Sequence, residues 1–247
     1  MKVYLAGESY EEIFEKVDYK FNKLDSFFYA KKHLIREQTI PRYDRFLLDS
    51  GAFTFMMAKT KKKVDIDKFT DEYIEYINNN KIDLFFEMDV DSIFGYEKVK
   101  QLRRKIESKT GKQSIPVFHM KRGLDDWNGM IKDYDYVSLG IAGKDVAWGD
   151  TETFYKFVMD ARNQNCKVHG LGITGMKTLK KVPFYSVDSS SWLAGNRYKT
   201  LVWFNGKEIK TLDTKKKGRI KNQLQLGHHN FGEWVKFSKS MENKIII

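Results

Sequence analysis

A (β/α)8 TIM-type barrel carrying a small C-terminal hairpin and helix is the fold class this sequence predicts. Three observations lead there. Eight short apolar segments suit strands, and helical stretches separate most of them, the alternation expected of a parallel sheet. Polar or glycine residues gather at the carboxyl end of nearly every segment, where barrel enzymes place their chemistry. The length of 247 residues suffices for one such barrel. A doubly wound open sheet is the rival, and it would concentrate those residues at a single crevice.

The elements follow in chain order. Residues 2–7 read as the first strand, and residues 10–23 as a helix through Ile13, Phe14, Val17 and Phe21. The aromatic run 25–30 is the second strand and 46–50 the third. Residues 65–80 form a helix with Phe69, Tyr73, Ile74 and Ile77 on one face and acids at its start, which suits the helix dipole. Strands over 82–90, 115–120, 136–141, 167–173 and 184–188 alternate with helices over 96–108, 124–132, 151–163 and 176–181. The tail, 200–247, differs from the barrel core, 1–199. Asn205-Gly206 between two apolar runs signals a hairpin, and 230–239 looks helical. No stretch rich in Pro, Gly or Ser marks a boundary, so the chain reads as one domain, 1–247.

Composition sets the class of partner. The net charge of +11 points to a polyanion, most often nucleic acid, with a lysine-rich solvated surface as the plain alternative. The charge is concentrated in Lys59-Thr60-Lys61-Lys62-Lys63 and Lys215-Lys216-Lys217-Gly218-Arg219, loops suited to phosphate contact. No apolar run approaches the roughly 20 residues that span a bilayer, and the start of the chain does not read as a signal peptide. The lone Cys166 excludes an intrachain disulfide and a cysteine-rich zinc site. A cytoplasmic setting without a membrane partner is the expectation.

Chemistry gathers at the strand ends. Phe46-Leu47-Leu48-Asp49-Ser50-Gly51-Ala52-Phe53 reads as a buried strand that delivers a carboxylate beside a turn. Its plain alternative is a strand and a turn capped by Asp49. Asp89, Asp91 and Asp188 end other strands. Paired carboxylates suit glycosidic chemistry, one attacking the sugar carbon and another moving a proton. Asp89 and Asp91 could instead bind magnesium as a D-x-D pair. The segments Ser138 to Gly143 and Gly170 to Gly175 let backbone approach a flat ligand or cradle a phosphate. His119 and His169 lie on strands, where a histidine is more often a hydrogen-bonded core residue than a catalyst.

In their order, Leu48-Asp49-Ser50-Gly51-Ala52-Phe53, Glu87-Met88-Asp89, Leu139-Gly140-Ile141-Ala142-Gly143, Leu171-Gly172-Ile173 and Ser186-Val187-Asp188-Ser189 resemble the tRNA-guanine transglycosylase superfamily. The nearer likeness is to its phage and bacterial branch, which inserts 7-deazaguanines into DNA. The resemblance spans about residues 45–195. It implies that Asp188 is the nucleophile at the sugar C1 and Asp49 a general acid/base. It implies a base pocket of Ser50, Gly51, Phe53 stacked on the base, Asp89 on its guanine-like edge with Asp91 as substitute, Gly140, Ile141, Leu171 and Gly172. His119 falls where the tRNA enzymes carry a base-contacting glutamine. The sequence departs from the family at Ala52, at Ser189-Ser190-Ser191-Trp192 after the nucleophile, and in lacking the three-cysteine zinc site. The last departure favours DNA over tRNA.

The resemblance therefore implies exchange of guanine in nucleic acid for a 7-deazaguanine base through a covalent aspartyl-sugar intermediate. No metal, redox cofactor or ATP is needed. Lys61, Lys62, Lys63, Lys215, Lys216, Lys217 and Arg219 would hold the phosphate backbone. Three alternatives stay open: a tRNA-guanine transglycosylase, a nucleoside or base hydrolase using the same pocket, and a nucleic-acid-binding protein without activity.

Overall fold

The computed structural model describes residues 1–7, 20–31, 40–51, 54, 65–140, 150–193, 200–212 and 222–242. Seven parallel strands form one curled sheet: β1 (Lys2–Ala6), β2 (Asn22–Ser26), β3 (Arg45–Asp49), β4 (Val117–Phe118), β5 (Tyr136–Leu139), β6 (Lys167–Gly170) and β7 (Ser186–Ser189). Their order is β3-β2-β1-β7-β6-β5-β4. The two outer strands are both engaged by one short segment. Phe85 bridges to Leu48 in β3, and Phe86 bridges to Ile115 just before β4. The Phe86 N–H donates to the Leu48 carbonyl at 2.9 Å, and the Ile115 N–H donates to the Phe85 carbonyl at 2.8 Å. The architecture is thus α/β with a curled parallel sheet, as the alternating pattern predicts.

Alternation along the strands sorts the side chains. Tyr4, Ala6, Leu24, Leu47, Phe86, Ile115 and Val117 pack together on the concave face. Their neighbours Val3, Leu5, Val137, Leu139, Val168 and Val187 pack outward against helices. Two residues beyond Leu47, the same concave face receives Asp49. In register across the sheet, Tyr4 lies beside Asp188, and Ser138, His169 and Ser186 lie side by side.

The helices are α1 (Phe27–Ala30), α2 (Ile66–Asn79), α3 (Asp91–Phe94), α4 (Tyr96–Thr110), α5 (Leu124–Asp133), α6 (Thr151–Asn163), α7 (Met176–Leu179) and α8 (Gln223–Glu242). Asp65 caps α2 by accepting from Asp67 and Lys68 N–H groups, and Asp150 caps α6 in the same way. The apolar face of α2 buries Ile66, Phe69, Tyr73, Ile74 and Ile77. Tyr73 then donates its hydroxyl to the Phe86 carbonyl at 2.9 Å, fastening α2 to the segment between β3 and β4. None of the described helices is long and apolar enough to cross a membrane.

The second strand departs from expectation. Asn22, Lys23, Leu24 and Asp25 are buried in β2, while Phe27 to Ala30 turn into α1. Two polar side chains of β2 are satisfied internally: Lys23 donates to the Gly7 and Leu24 carbonyls, and Asn22 donates to Glu242 at 2.7 Å. Phe27 packs its ring against Phe69, Tyr73 and Tyr76. Most of the helix expected over 10–23 lies outside the described residues, and its end belongs to β2. The strand expected over 82–90 shrinks to the two bridges, because the chain turns where Asp89 N–H meets the Glu87 carbonyl. Pro116, which has no N–H, shortens β4.

The tail forms an antiparallel hairpin, β8 (Leu201–Phe204) and β9 (Ile209–Leu212), joined through Asn205-Gly206. Helix α8 is longer than the expected 230–239. Its Phe231, Trp234, Phe237 and Met241 join the main core, and Asn230 and Glu233 accept from the Val202 and Phe204 N–H groups of β8.

Candidate active site

Asp188 sits on β7 at 7% exposure, held from two directions. One oxygen, Oδ1, accepts the Gly172 N–H at 2.6 Å and lies 3.2 Å from His169 Nε2. Among the described residues no hydrogen bond reaches the other oxygen, Oδ2. His169 is fully buried, and its Nδ1 lies 2.5 Å from Ser186 Oγ, which lies 2.5 Å from the Tyr136 hydroxyl. Tyr4 and Phe86 close on the imidazole edge to face, at 6.1 and 5.3 Å between ring centroids. The histidine is thus a hydrogen-bonded core residue, and one of its two partners is the carboxylate of Asp188.

Asp49 ends β3, and its Oδ2 accepts the Gly51 N–H at 3.0 Å. Gly51 adopts φ +79°, and a Cβ there would come within 2.6 Å of Phe28 Cβ, so only glycine serves this turn. Burial pushes the Asp49 carboxyl up to about 6. The Gly51 N–H opposes the shift, whereas the charges of Asp188 and Asp89 add to it. The charges of Asp188 and Asp89 therefore reach Asp49, which is poised to exchange a proton near neutral pH.

Asp89 belongs to a buried ion network. Its Oδ2 lies 2.7 Å from His119 Nε2, and its Oδ1 accepts from Arg122 at 2.8 Å. The Arg122 side chain is 1% exposed and also reaches Asp91 at 3.1 Å and Glu87 at 3.2 Å. Glu87, with no exposure, is paired on its far side with Arg103 at 2.6 Å and accepts the Val117 N–H at 2.9 Å. Burial works against the Asp91 charge, but Lys121 and Arg122 outweigh it and hold its carboxyl below the ordinary range. Asp89, Asp91 and His119 place one ligand atom each within 4.8 Å of one another, a grouping that could hold a metal ion. Arg122 already supplies a cation to both carboxylates, and Lys121 bonds Asp91 at 3.0 Å. A divalent ion would have to displace them.

The structure thus groups Asp49, Asp89 and Asp188 and puts Ser50 and Gly51 beside them, with Gly172 bonded directly to Asp188. Gly140 has a different neighbour from the expected flat ligand. A Cβ there would lie 2.6 Å from His119 Cε1, so the glycine makes room for that histidine. Leu171 packs against the concave-face cluster. Asp91 points its charge into Arg122 and Lys121. Phe53, Ile141, Lys61, Lys62, Lys63, Lys215, Lys216, Lys217 and Arg219 lie outside the described residues. Sequence reasoning missed Arg122, Arg103, Ser186 and Tyr136. The one available signal was Arg122 following His119 at the end of a strand, and its three acid partners lie more than 30 residues away.

Chemically, the arrangement offers an anchored carboxylate with an oxygen to spare, a carboxyl that titrates near neutrality, and a third carboxylate bonded to a guanidinium. Cys166 offers nothing comparable, since burial pushes its thiol up to about 12. No protein-family model matches the chain, and no curated protein matches it significantly.

Proposed function

We propose that the chain is a transglycosylase that exchanges guanine in nucleic acid, DNA in preference to tRNA, for a 7-deazaguanine base. The observation that carries the proposal is the grouping of three carboxylates in three unlike settings. Asp188 is immobilised through Oδ1 by Gly172 and His169, which leaves Oδ2 for the sugar C1. As the new C–O bond forms, the bond from C1 to the guanine N9 breaks. Its electron pair leaves with guanine, which takes a proton from a neighbouring acid or water. The N–H of the incoming base then passes its proton to ionised Asp49, and its nitrogen displaces Asp188 as a free carboxylate. With a carboxyl raised to about 6, Asp49 suits that proton. Asp89, fixed by Arg122 and His119, is the acceptor for the N–H groups of the guanine-like edge. The target nucleotide would have to leave its stack to reach these groups.

The same reading takes the sheet as a closed (β/α)8 barrel with the Phe85-Phe86 segment as its eighth strand. The two parallel bridges on either side of that segment support it.

Incubation with DNA or tRNA and a labelled 7-deazaguanine, followed by nucleoside mass analysis, tests the activity. Label should enter DNA, and Asp188→Ala should abolish incorporation. Cleavage of free nucleoside without incorporation into either polymer would replace the proposal with a hydrolase.

A further inference from the structure

We infer that a basic cleft at the amino ends of the strands, at the opposite end of the sheet from the carboxylates, binds a phosphate-bearing ligand. The cleft has a volume of about 780 Å³, within the usual range for small-molecule sites. Lys2 opens β1, Arg45 opens β3 and Lys167 opens β6. Arg162 comes from the last turn of α6, and Tyr185 stands just before β7. A five-residue strand separates this end from the acids by roughly 13 Å, so one mononucleotide could not occupy both places.

The charge of the cleft is unbalanced. Of its lining residues four are cationic, Lys2, Arg45, Arg162 and Lys167, and one is acidic, Glu242. Glu242 is engaged by Arg45 at 3.3 Å and by Asn22 at 2.7 Å. Lys2, Arg162 and Lys167 have no acidic partner among the described residues. Elsewhere several surface lysines are paired: Lys31 with Glu72, Lys98 with Asp67, Lys105 with Asp71 and Lys112 with Asp83. What sets the cleft apart is that cations without acidic partners converge from several elements inside one concavity.

Tyr185 reports the resulting field. Lys2 donates to its hydroxyl and lies 3.8 Å from its ring centroid, and Lys167 lies 5.3 Å from the same centroid. Burial alone would raise the phenol. The Lys2 hydrogen bond and the charges of Lys2, Lys167 and Arg45 reverse that and lower it. Two unpaired cations at the phenol, Lys2 and Lys167, with Arg162 lining the same cleft, match an anion of two or three charges better than a lone carboxylate. The mixture of guanidinium and ammonium groups suits phosphate oxygens.

Calorimetric titration of the whole protein with inorganic pyrophosphate tests the assignment, with a short single-stranded oligonucleotide as competitor. Pyrophosphate should bind, and Arg162→Glu with Lys167→Glu should weaken it at least about tenfold. Both residues are exposed, and an unchanged thermal melt verifies folding. Lys109→Glu, on α4, should change affinity less than about twofold. Competition by the oligonucleotide that is equally sensitive to the double variant identifies a polymer phosphate as the source. Its failure to compete identifies a small phosphate ester. Absence of pyrophosphate binding, or equal binding by the double variant, overturns the inference.

Discussion

Asp49 is the residue whose environment makes the sharpest demand. Its carboxyl rises from the ordinary 3.8 to about 6 because burial penalises the charge more than the Gly51 N–H supports it. A folded-state value above the unfolded one means that folding favours the protonated acid. That contribution is complete below the ordinary carboxyl range and is lost as the pH climbs through about 6. Asp49→Asn cannot ionise, yet it keeps an oxygen for the Gly51 N–H. The variant should therefore be more stable than the wild type at about pH 8, by about 1 kcal/mol after allowance for the side chain's partial exposure. The gain should vanish near pH 4. Urea unfolding at both pH values checks this, and a difference independent of pH would sink the account. Gly140 makes a second demand. Gly140→Ala would press on His119 Cε1 and Val117 Cγ1 at 2.6 and 2.7 Å. It should cost about 1–3 kcal/mol in chemical unfolding. It should also loosen His119 from Asp89, visible as a changed imidazole resonance.

Among the elements, the short turn Met120–Arg122 after β4 does more than join strand to helix. It carries the guanidinium that holds Glu87, Asp89 and Asp91 together, stacked 4.4 Å over the Tyr96 ring. Arg122→Met keeps the bulk and removes the charge, leaving Asp89 and Asp91 short of a counter-ion. The expected loss is about 3–5 kcal/mol. Manganese ions should then raise the melting temperature of the variant and not of the wild type, because only the variant lacks the guanidinium shared by Asp89 and Asp91 beside His119. An equal response in both proteins would refute Arg122 as the resident cation. Helices α4 and α6 were legible because their apolar spacing is regular and their ends carry Gly111 and Asp150. Strand β2 was not legible, since polar Asn22 and Lys23, which the fold buries, fall at the end of the helix expected over 10–23. The eye moves instead to the aromatic run beside them, which is α1. Asp49 and Asp188 stood out at the ends of apolar runs. Arg122 did not, because pairings across 30 residues leave no local pattern.

At the scale of the whole molecule, one core unites the sheet with the tail. Phe231 of α8 is fully buried and meets Phe21 and Trp192 edge to face at 4.9 and 5.0 Å. Phe231→Ala should cost about 3–5 kcal/mol. It should lower the melting of the entire protein in a single transition, whereas an early transition confined to the tail would show that α8 folds separately. Parallel order with alternating elements was legible from the sequence, whereas the closeness of α8 to β1 was not. Ser238 donating to the Val3 carbonyl at 3.0 Å links residues 235 apart in sequence. The segment carrying Phe85 and Phe86 has a further consequence. By bonding to Leu48 and to Ile115 it occupies backbone groups of β3 and of the stretch leading into β4 that would otherwise lie bare. Bare strand edges recruit other chains and seed fibrils. The backbone of Phe85 and Phe86 thus leaves fewer open groups on the outer strands for a second chain to pair with.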